Sequence, residues 1–380
     1  MFRSERARNL LYQALLLAVV VGIGWWLVSN TITNLEARKI QTGFGFLSRE
    51  AGFEIAETHI AYEPSDDYTR AFLVGIVNTL IVAAIGIVLA TVLGTLIGIA
   101  RLSTNWLLAK LASSYVEVLR NVPLLLQLFV WYGVFTELLP PVKEAIDIGG
   151  LAFVSQRGFR FAWPAPHPAW DAAFWAMLVG IALALVWRAR ARTVQRATGR
   201  QLPVGWPSLA LILGLPALAW AALGAPTQID IPELSGFDFQ GGKVMSPEFT
   251  ALLIGLSTYT AAFIAEVVRA GILAVDRGQG EAAMALGLTP GQRLRLVTLP
   301  QALRVIIPPM TSQYLNLTKN SSLAVAIGYP DLVAVANTTM NQTGQAIEAI
   351  AILMAVYLTI SLAISLLMNW YNDRVRLVER

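Results

Sequence analysis

Residues 281–300 begin Glu281-Ala282-Ala283-Met284-Ala285-Leu286-Gly287 and run through Thr289-Pro290-Gly291-Gln292 to Leu299-Pro300. Ala and Leu favour helix, and Gly287, without a Cβ, suits the left-handed residue that ends one. Thr289 then fits an N-cap, Pro290 the first helical position and Gln292 the far side of a capping box. The stretch therefore predicts two short helices turning about Gly287. Its small side chains would let a partner backbone approach, and Glu281 could accept hydrogen bonds from that partner.

Around this segment the chain is strongly apolar. Of 380 residues, 56% are hydrophobic and 14% charged, against about 25% charged in a soluble domain. A helix crossing the hydrocarbon core needs about 20 mostly apolar residues. Windows at 10–28, 71–100, 115–138, 206–223, 249–274 and 346–370 qualify, 172–187 is short, and 298–317 is weaker because it carries Arg304 and Pro308-Pro309. We read eight spans in an all-α polytopic membrane protein. Arg3, Arg6 and Arg8 precede the first window, but no small-residue cleavage site follows Trp25-Trp26, so this window reads as an uncleaved anchor.

Most of the 28 basic residues fall on one side of this arrangement. They lie in the N-terminus, at Arg101, Lys110 and Arg120, in the loop from Arg188 to Arg200, around the 281–300 stretch, and in the tail at Arg374, Arg376 and Arg380. Acidic groups such as Glu54, Asp66, Asp67 and Asp230 lie in the opposite loops. The positive-inside rule then places both termini in the cytoplasm, and the modest net charge of +4 reads as topology and not as nucleic-acid binding.

Four segments organise the chain: an anchor with a polar outer stretch (1–70), a first core part (71–138), an insertion carrying two extra spans (139–248), and a second core part with the 277–300 loop (249–380). Residues 139–171 and 224–248, rich in Pro and Gly, read as outer loops, and 188–205 as a short basic inner loop. Gly94 and Gly98 permit close helix contact. The chain has no cysteine, no G-x-x-x-x-G-K-[ST] phosphate loop, and only His59 and His167 as histidines. Nothing in it reads as an enzyme, a metal centre or a nucleotide site.

Intramembrane polar groups are costly and point to function. Glu266 and Arg269, and likewise Glu117 and Arg120, stand three apart and are placed to pair. Tyr314, Asn316, Lys319, Asn320, Ser321 and Ser322 form a polar run beyond the Pro pair. Such a run suggests irregular backbone lining a translocation cavity, with helix–helix hydrogen bonding or a snorkelling Lys319 as the plainer alternatives.

The spacing from Glu281-Ala282-Ala283 through Gly287 to Leu299-Pro300 resembles the EAA loop by which permease subunits of ABC importers dock on an ATPase. The stretch from Glu117 and Arg120 through Pro123-Leu124-Leu125 and Gln127 to Phe129 resembles that of polar amino-acid uptake permeases, as does Lys319-Asn320-Ser321-Ser322-Leu323. The resemblance covers about 71–138 and 249–375 and is nearest to the long permeases for general or acidic and amide amino acids. It implies a five-helix type I importer core in a bacterial inner membrane. It also implies an ATPase-coupling role for Glu281, Ala282, Ala283, Gly287, Leu299 and Pro300, and a place for Gln127 on the substrate path. Implied partners are a cytoplasmic ATPase dimer that holds ATP and Mg, a second permease of a different chain, and a periplasmic amino-acid-binding protein. The competing reading is an ion-coupled transporter or channel, which has no use for the EAA segment.

Overall fold

A computed structural model describes residues 5–37 and 42–375; Arg3, Arg376 and Arg380, and the side chains of Arg6 and Arg8, lie outside the described residues. Two compact units appear, Met1–Gly133 with Glu248–Arg380, and Val134–Pro247.

The first unit contains α1 (Glu5–Ala37), α2 (Tyr68–Ala100), α3 (Trp106–Asn121) and α4 (Leu124–Gly133). After the second unit's helices α5 (Pro168–Thr198), α6 (Gly205–Leu209) and α7 (Leu215–Ala222), it resumes with α8 (Pro247–Leu273), α9 (Arg277–Ala285), α10 (Pro290–Arg293), α11 (Leu299–Asn320), α12 (Leu332–Thr343) and α13 (Ala346–Val375). Among the described residues, six helices are long and apolar enough to cross a membrane, or eight spans if each of two bent pairs counts once.

One bent pair corrects the straight 115–138 span: Trp106–Asn121 and Leu124–Leu138 meet at 106°. The cause is Pro123, which pushes Val122 into an extended conformation (ψ 128) and so ends α3. The second correction concerns the polar run. The helix continues through Pro308 and Pro309 to Asn320 and tightens into a 3-10 turn at Ser321–Ile327. The irregular backbone begins only at Gly328 (φ 83), where the chain turns into α12. The chain therefore does not unwind at the polar run: Asp331 caps α12 by accepting from the Ala334 N–H (2.9 Å), and Tyr329 and Leu332 are fully buried.

Helix α2 is the spine of this unit. A Cβ at Gly75 would lie 2.9 Å from Leu332 Cα; one at Gly94 would lie 2.6 Å from Ile264 Cβ, and one at Gly98 2.7 Å from the Ala265 carbonyl oxygen. The Gly94–Gly98 pair is therefore where α2 and α8 approach most closely, as the small-residue spacing allows. Buried Asn78 on α2 donates to the carbonyls of Glu57 (2.9 Å) and Pro330 (2.8 Å), and Thr79 accepts from the Leu332 N–H (3.1 Å). Residues 42–67 are held over this end: Phe46 is buried against Tyr68, Leu332 and Ala336, and Glu348 accepts from the Gly43 N–H (2.6 Å). Overpacking a tight contact costs about 1–3 kcal/mol. Gly94→Val should therefore lower the thermal midpoint of the detergent-solubilised chain, while Gly22→Ala, with nothing within 4 Å, should not. Equal midpoints for the two variants would contradict the close α2–α8 contact.

In the second unit, helix α5 packs against the α6–α7 segment, and Gly180 makes the approach possible, since a Cβ there would lie 2.3 Å from the Leu211 carbonyl oxygen. The two loops read as irregular fold together into short strands. These are β1 (Ile146–Ile148), β2 (Ala152–Ser155), β3 (Gly158–Phe161), β4 (Trp163–Pro164), β5 (Ile229–Asp230), β6 (Glu233–Ser235), β7 (Asp238–Gln240) and β8 (Lys243–Met245). A four-stranded antiparallel sheet runs β1-β2-β3-β8, and β4-β5 and β6-β7 form two-stranded pairs. Strands of two to four residues between glycines are too short to show a period-2 pattern, and β3 with β8 pairs segments about eighty residues apart in sequence. The basic stretch after Trp187 is also corrected: it is helix to Thr198, closed by Gly199 at φ 72.

Candidate functional site

The 277–300 segment folds as two short helices with a corner. Asp276 caps α9 by accepting from the Gly278 N–H (2.6 Å). The helix ends as Gly287 takes φ +76, with the Gly287 N–H donating to Met284 O (2.9 Å) and the Leu288 N–H to Ala283 O (3.1 Å). At α10 the Thr289 N–H donates to Gln292 Oε1 (2.9 Å) and the Gln292 N–H to Thr289 Oγ1 (3.4 Å), a complete capping box. Every one of these bonds joins residues no more than five apart, which is why the local sequence carries them.

Within this corner Ala283 is buried, while Glu281 and Ala282 face outward. Leu286 is 81% exposed and Met284 54%. These apolar side chains are left uncovered outside any spanning window. A cavity of about 290 Å³, lined by Asp276, Arg277, Glu281 and Arg293 among others, lies beside it. Leu299 is partly exposed and Pro300 stands in the first turn of α11, so the corner is joined to a spanning helix through one wide turn, Leu294–Thr298.

The ion pairs differ from expectation in an informative way. Glu266 does receive Arg269, Nη2 to Oε1 at 2.6 Å. Its second oxygen, however, is taken by Arg101 from the C-terminal end of α2, and Arg120 Nη1 stands 3.8 Å from the same oxygen. The Glu117–Arg120 pair does not form: Glu117 is exposed, and Arg120 turns toward Glu266 with its guanidinium 5.2 Å from the Phe263 ring centre. One carboxylate on α8 therefore gathers three guanidiniums, from α2, α3 and α8. Arg101, which sequence reasoning used only to orient the spans, is the member it missed. Its 165-residue separation from Glu266 left no local pattern; the clue was a cation at the end of a long apolar window.

The expected path residues separate into two groups. Asn316 and Lys319 lie three apart on one exposed face of α11, Asn320 is half-buried, and Ser322 donates to the Lys319 carbonyl (2.7 Å). The others turn toward the protein's own interior. Gln127 is buried and donates through Nε2 to the Leu119 and Val122 carbonyls, both at 2.9 Å, closing the broken end of α3. Ser321 is buried and donates to the Thr318 carbonyl (2.8 Å). Tyr314 turns the other way to meet Thr91 (3.0 Å) at a cavity of about 350 Å³, whose wall is apolar and includes Met310, Met368 and Tyr371.

Comparison with known proteins places this geometry. Residues 207–377 match the model of the family described as binding-protein-dependent transport system inner membrane component. The chain is 52% identical over 385 residues to the putative amino-acid ABC transporter permease protein YhdX of Escherichia coli K12, covering 100% of this chain and 97% of that protein. It is 48% identical over 383 residues to the general L-amino acid transport system permease protein AapQ of Rhizobium johnstonii, covering 100% and 96%. A crystal structure of an amino acid ABC transporter with histidines aligns over 81% of this chain and 95% of that one, at 22% identity and TM-score 0.48. The chain belongs to the amino-acid ABC transporter permeases, within the binding-protein-dependent inner membrane components. It is a multi-pass transmembrane subunit, and its family implies an ATPase and a binding protein as partners.

Proposed function

We propose that this chain forms one half of the translocation path of an amino-acid importer, driven by ATP and Mg held on a separate cytoplasmic ATPase dimer. The observation that carries the reading is the 277–300 corner: two capped helices presenting Glu281, Ala282, Met284 and Leu286 and running directly into α11. A push on this corner is delivered to the helix bearing Asn316, Lys319 and Asn320. The substrate class follows from the relatives, which are permeases of amino-acid transport systems, and both termini lie in the cytoplasm in this reading.

Asn316 and Lys319 support a second permease. Exposed polar groups at membrane depth cannot face lipid tails at low cost, so their face belongs against a partner or a water-filled path. We assign the facing position to a different permease chain, and delivery of the substrate to a periplasmic binding protein. Lys319 would then attract the substrate α-carboxylate.

Co-purification from the native membrane tests the assembly. The tagged chain should bring down an ATPase and a second permease, and Leu286→Asp should lose the ATPase; a variant that retains it would show that the corner is not the dock. For the path, Lys319→Ala should reduce uptake of substrates with a free α-carboxylate about tenfold, the order of one lost charge-assisted contact, and spare an α-amide analogue. Equal loss for both would return Lys319 to a snorkelling role.

A further inference from the structure

Helix α5 leaves the apolar window at Trp187 and continues for three turns with Arg188, Arg190, Arg192 and Arg196, followed by Arg200. No acidic residue occurs between Asp171 and Asp230. All five arginines are exposed, and none has an ion pair among the described residues. The helix is not free to turn them elsewhere: buried Gly180, Ala184 and Ala191 define its packed side, and at 100° per residue Arg188, Arg192 and Arg196 sweep from its flank to the opposite side. Two indoles mark the level at which this extension begins. Trp187 donates Nε1 to the Pro203 carbonyl (3.0 Å), and Trp206, where the chain enters α6, is 80% exposed. Tryptophans at one level on the two arms of a helical hairpin match the enrichment of indoles at the membrane–water boundary.

From Arg188 to Arg196 the helix rises about 12 Å, enough to carry the stripe through a headgroup layer roughly 5–8 Å deep on each side of the hydrocarbon. We propose that Arg188, Arg192 and Arg196 form a binding stripe for anionic phospholipid headgroups, anchoring the inserted hairpin to negatively charged membrane. Guanidinium forks suit phosphate oxygens, and each arginine at an anionic surface favours association about fivefold. A protein occupant is less well supported, because the stripe continues the apolar span Pro168–Thr198 directly and begins at the level of two tryptophans.

The test uses the full chain in nanodiscs. The protein has no cysteine, so Gln195→Cys, an exposed position beside the stripe, can carry a single fluorophore. Spin-labelled phosphatidylglycerol should quench it several-fold more than spin-labelled phosphatidylcholine at low salt, and 1 M NaCl should erase much of the difference. Arg188→Gln with Arg192→Gln and Arg196→Gln should cut the preference about fivefold or more, whereas the three Lys replacements should keep most of it and show that charge, not folding, is responsible. Equal quenching by the two lipids, or a preference unchanged in the Gln triple, would overturn the proposal. Loss of a co-purifying protein in the Gln triple with unchanged lipid preference would assign the stripe to that protein instead.

Discussion

Glu266→Gln is expected to weaken both the fold of the first unit and its transport. It removes one charge and leaves three guanidiniums gathered around a neutral amide. The Arg101 side chain is only 12% exposed and that of Glu266 29%. Breaking a fully buried pair costs about 3–5 kcal/mol; Arg120, at 42% exposed, is largely screened by solvent, so about 2–3 kcal/mol is expected here. The loss falls where α2, α3 and α8 meet, and uptake should drop at least tenfold alongside the thermal midpoint. Arg101→Gln placed on top of Glu266→Gln should restore part of the midpoint, because it removes the most buried of the unpaired cations. A double variant no better than the single would mean that the cluster is not one electrostatic unit.

Gly287→Val should act differently, sparing the fold and abolishing coupling. No heavy atom lies within 4 Å of the position a Cβ would take, so the substitution meets no clash. Its penalty is conformational: a left-handed β-branched residue costs about 1–2 kcal/mol, set against a corner held by a few local hydrogen bonds. The chain should insert and melt normally, yet transport less than a tenth as much and fail to bring down the ATPase. Gly287→Asn, which tolerates left-handed backbone, should recover most of the uptake. Full activity in the Val variant would show that the corner can change shape without consequence.

These two sites show how differently sequence speaks. The corner was legible because each determinant, from the Gly287 turn to the Thr289–Gln292 box, has its partner within a few residues. In the Glu266 cluster only the Arg269 contact was local; Arg101 and Arg120 arrive from α2 and α3, and the expected Glu117–Arg120 pair lost to the carboxylate across the bundle. Gln127 and Ser321 carry contacts that the sequence did not announce. Polarity inside a membrane protein also satisfies broken backbone, and the kink at Pro123 leaves carbonyls for Gln127 to bond.

The sequence by itself determined the membrane class, the long apolar helices, the small-residue contact at Gly94 and Gly98, and the hinged 277–300 helices. Hydrophobic length, glycine conformation and capping are all properties of neighbours along the chain. Tertiary structure alone decided that α3 and α4 bend by 106°, that the Pro-rich loops pair as strands, and that one glutamate serves three arginines. It also decided that Lys319 faces outward while Tyr314 turns inward to Thr91. Each of these depends on which helix or strand comes alongside, a matter of packing between residues far apart in the chain.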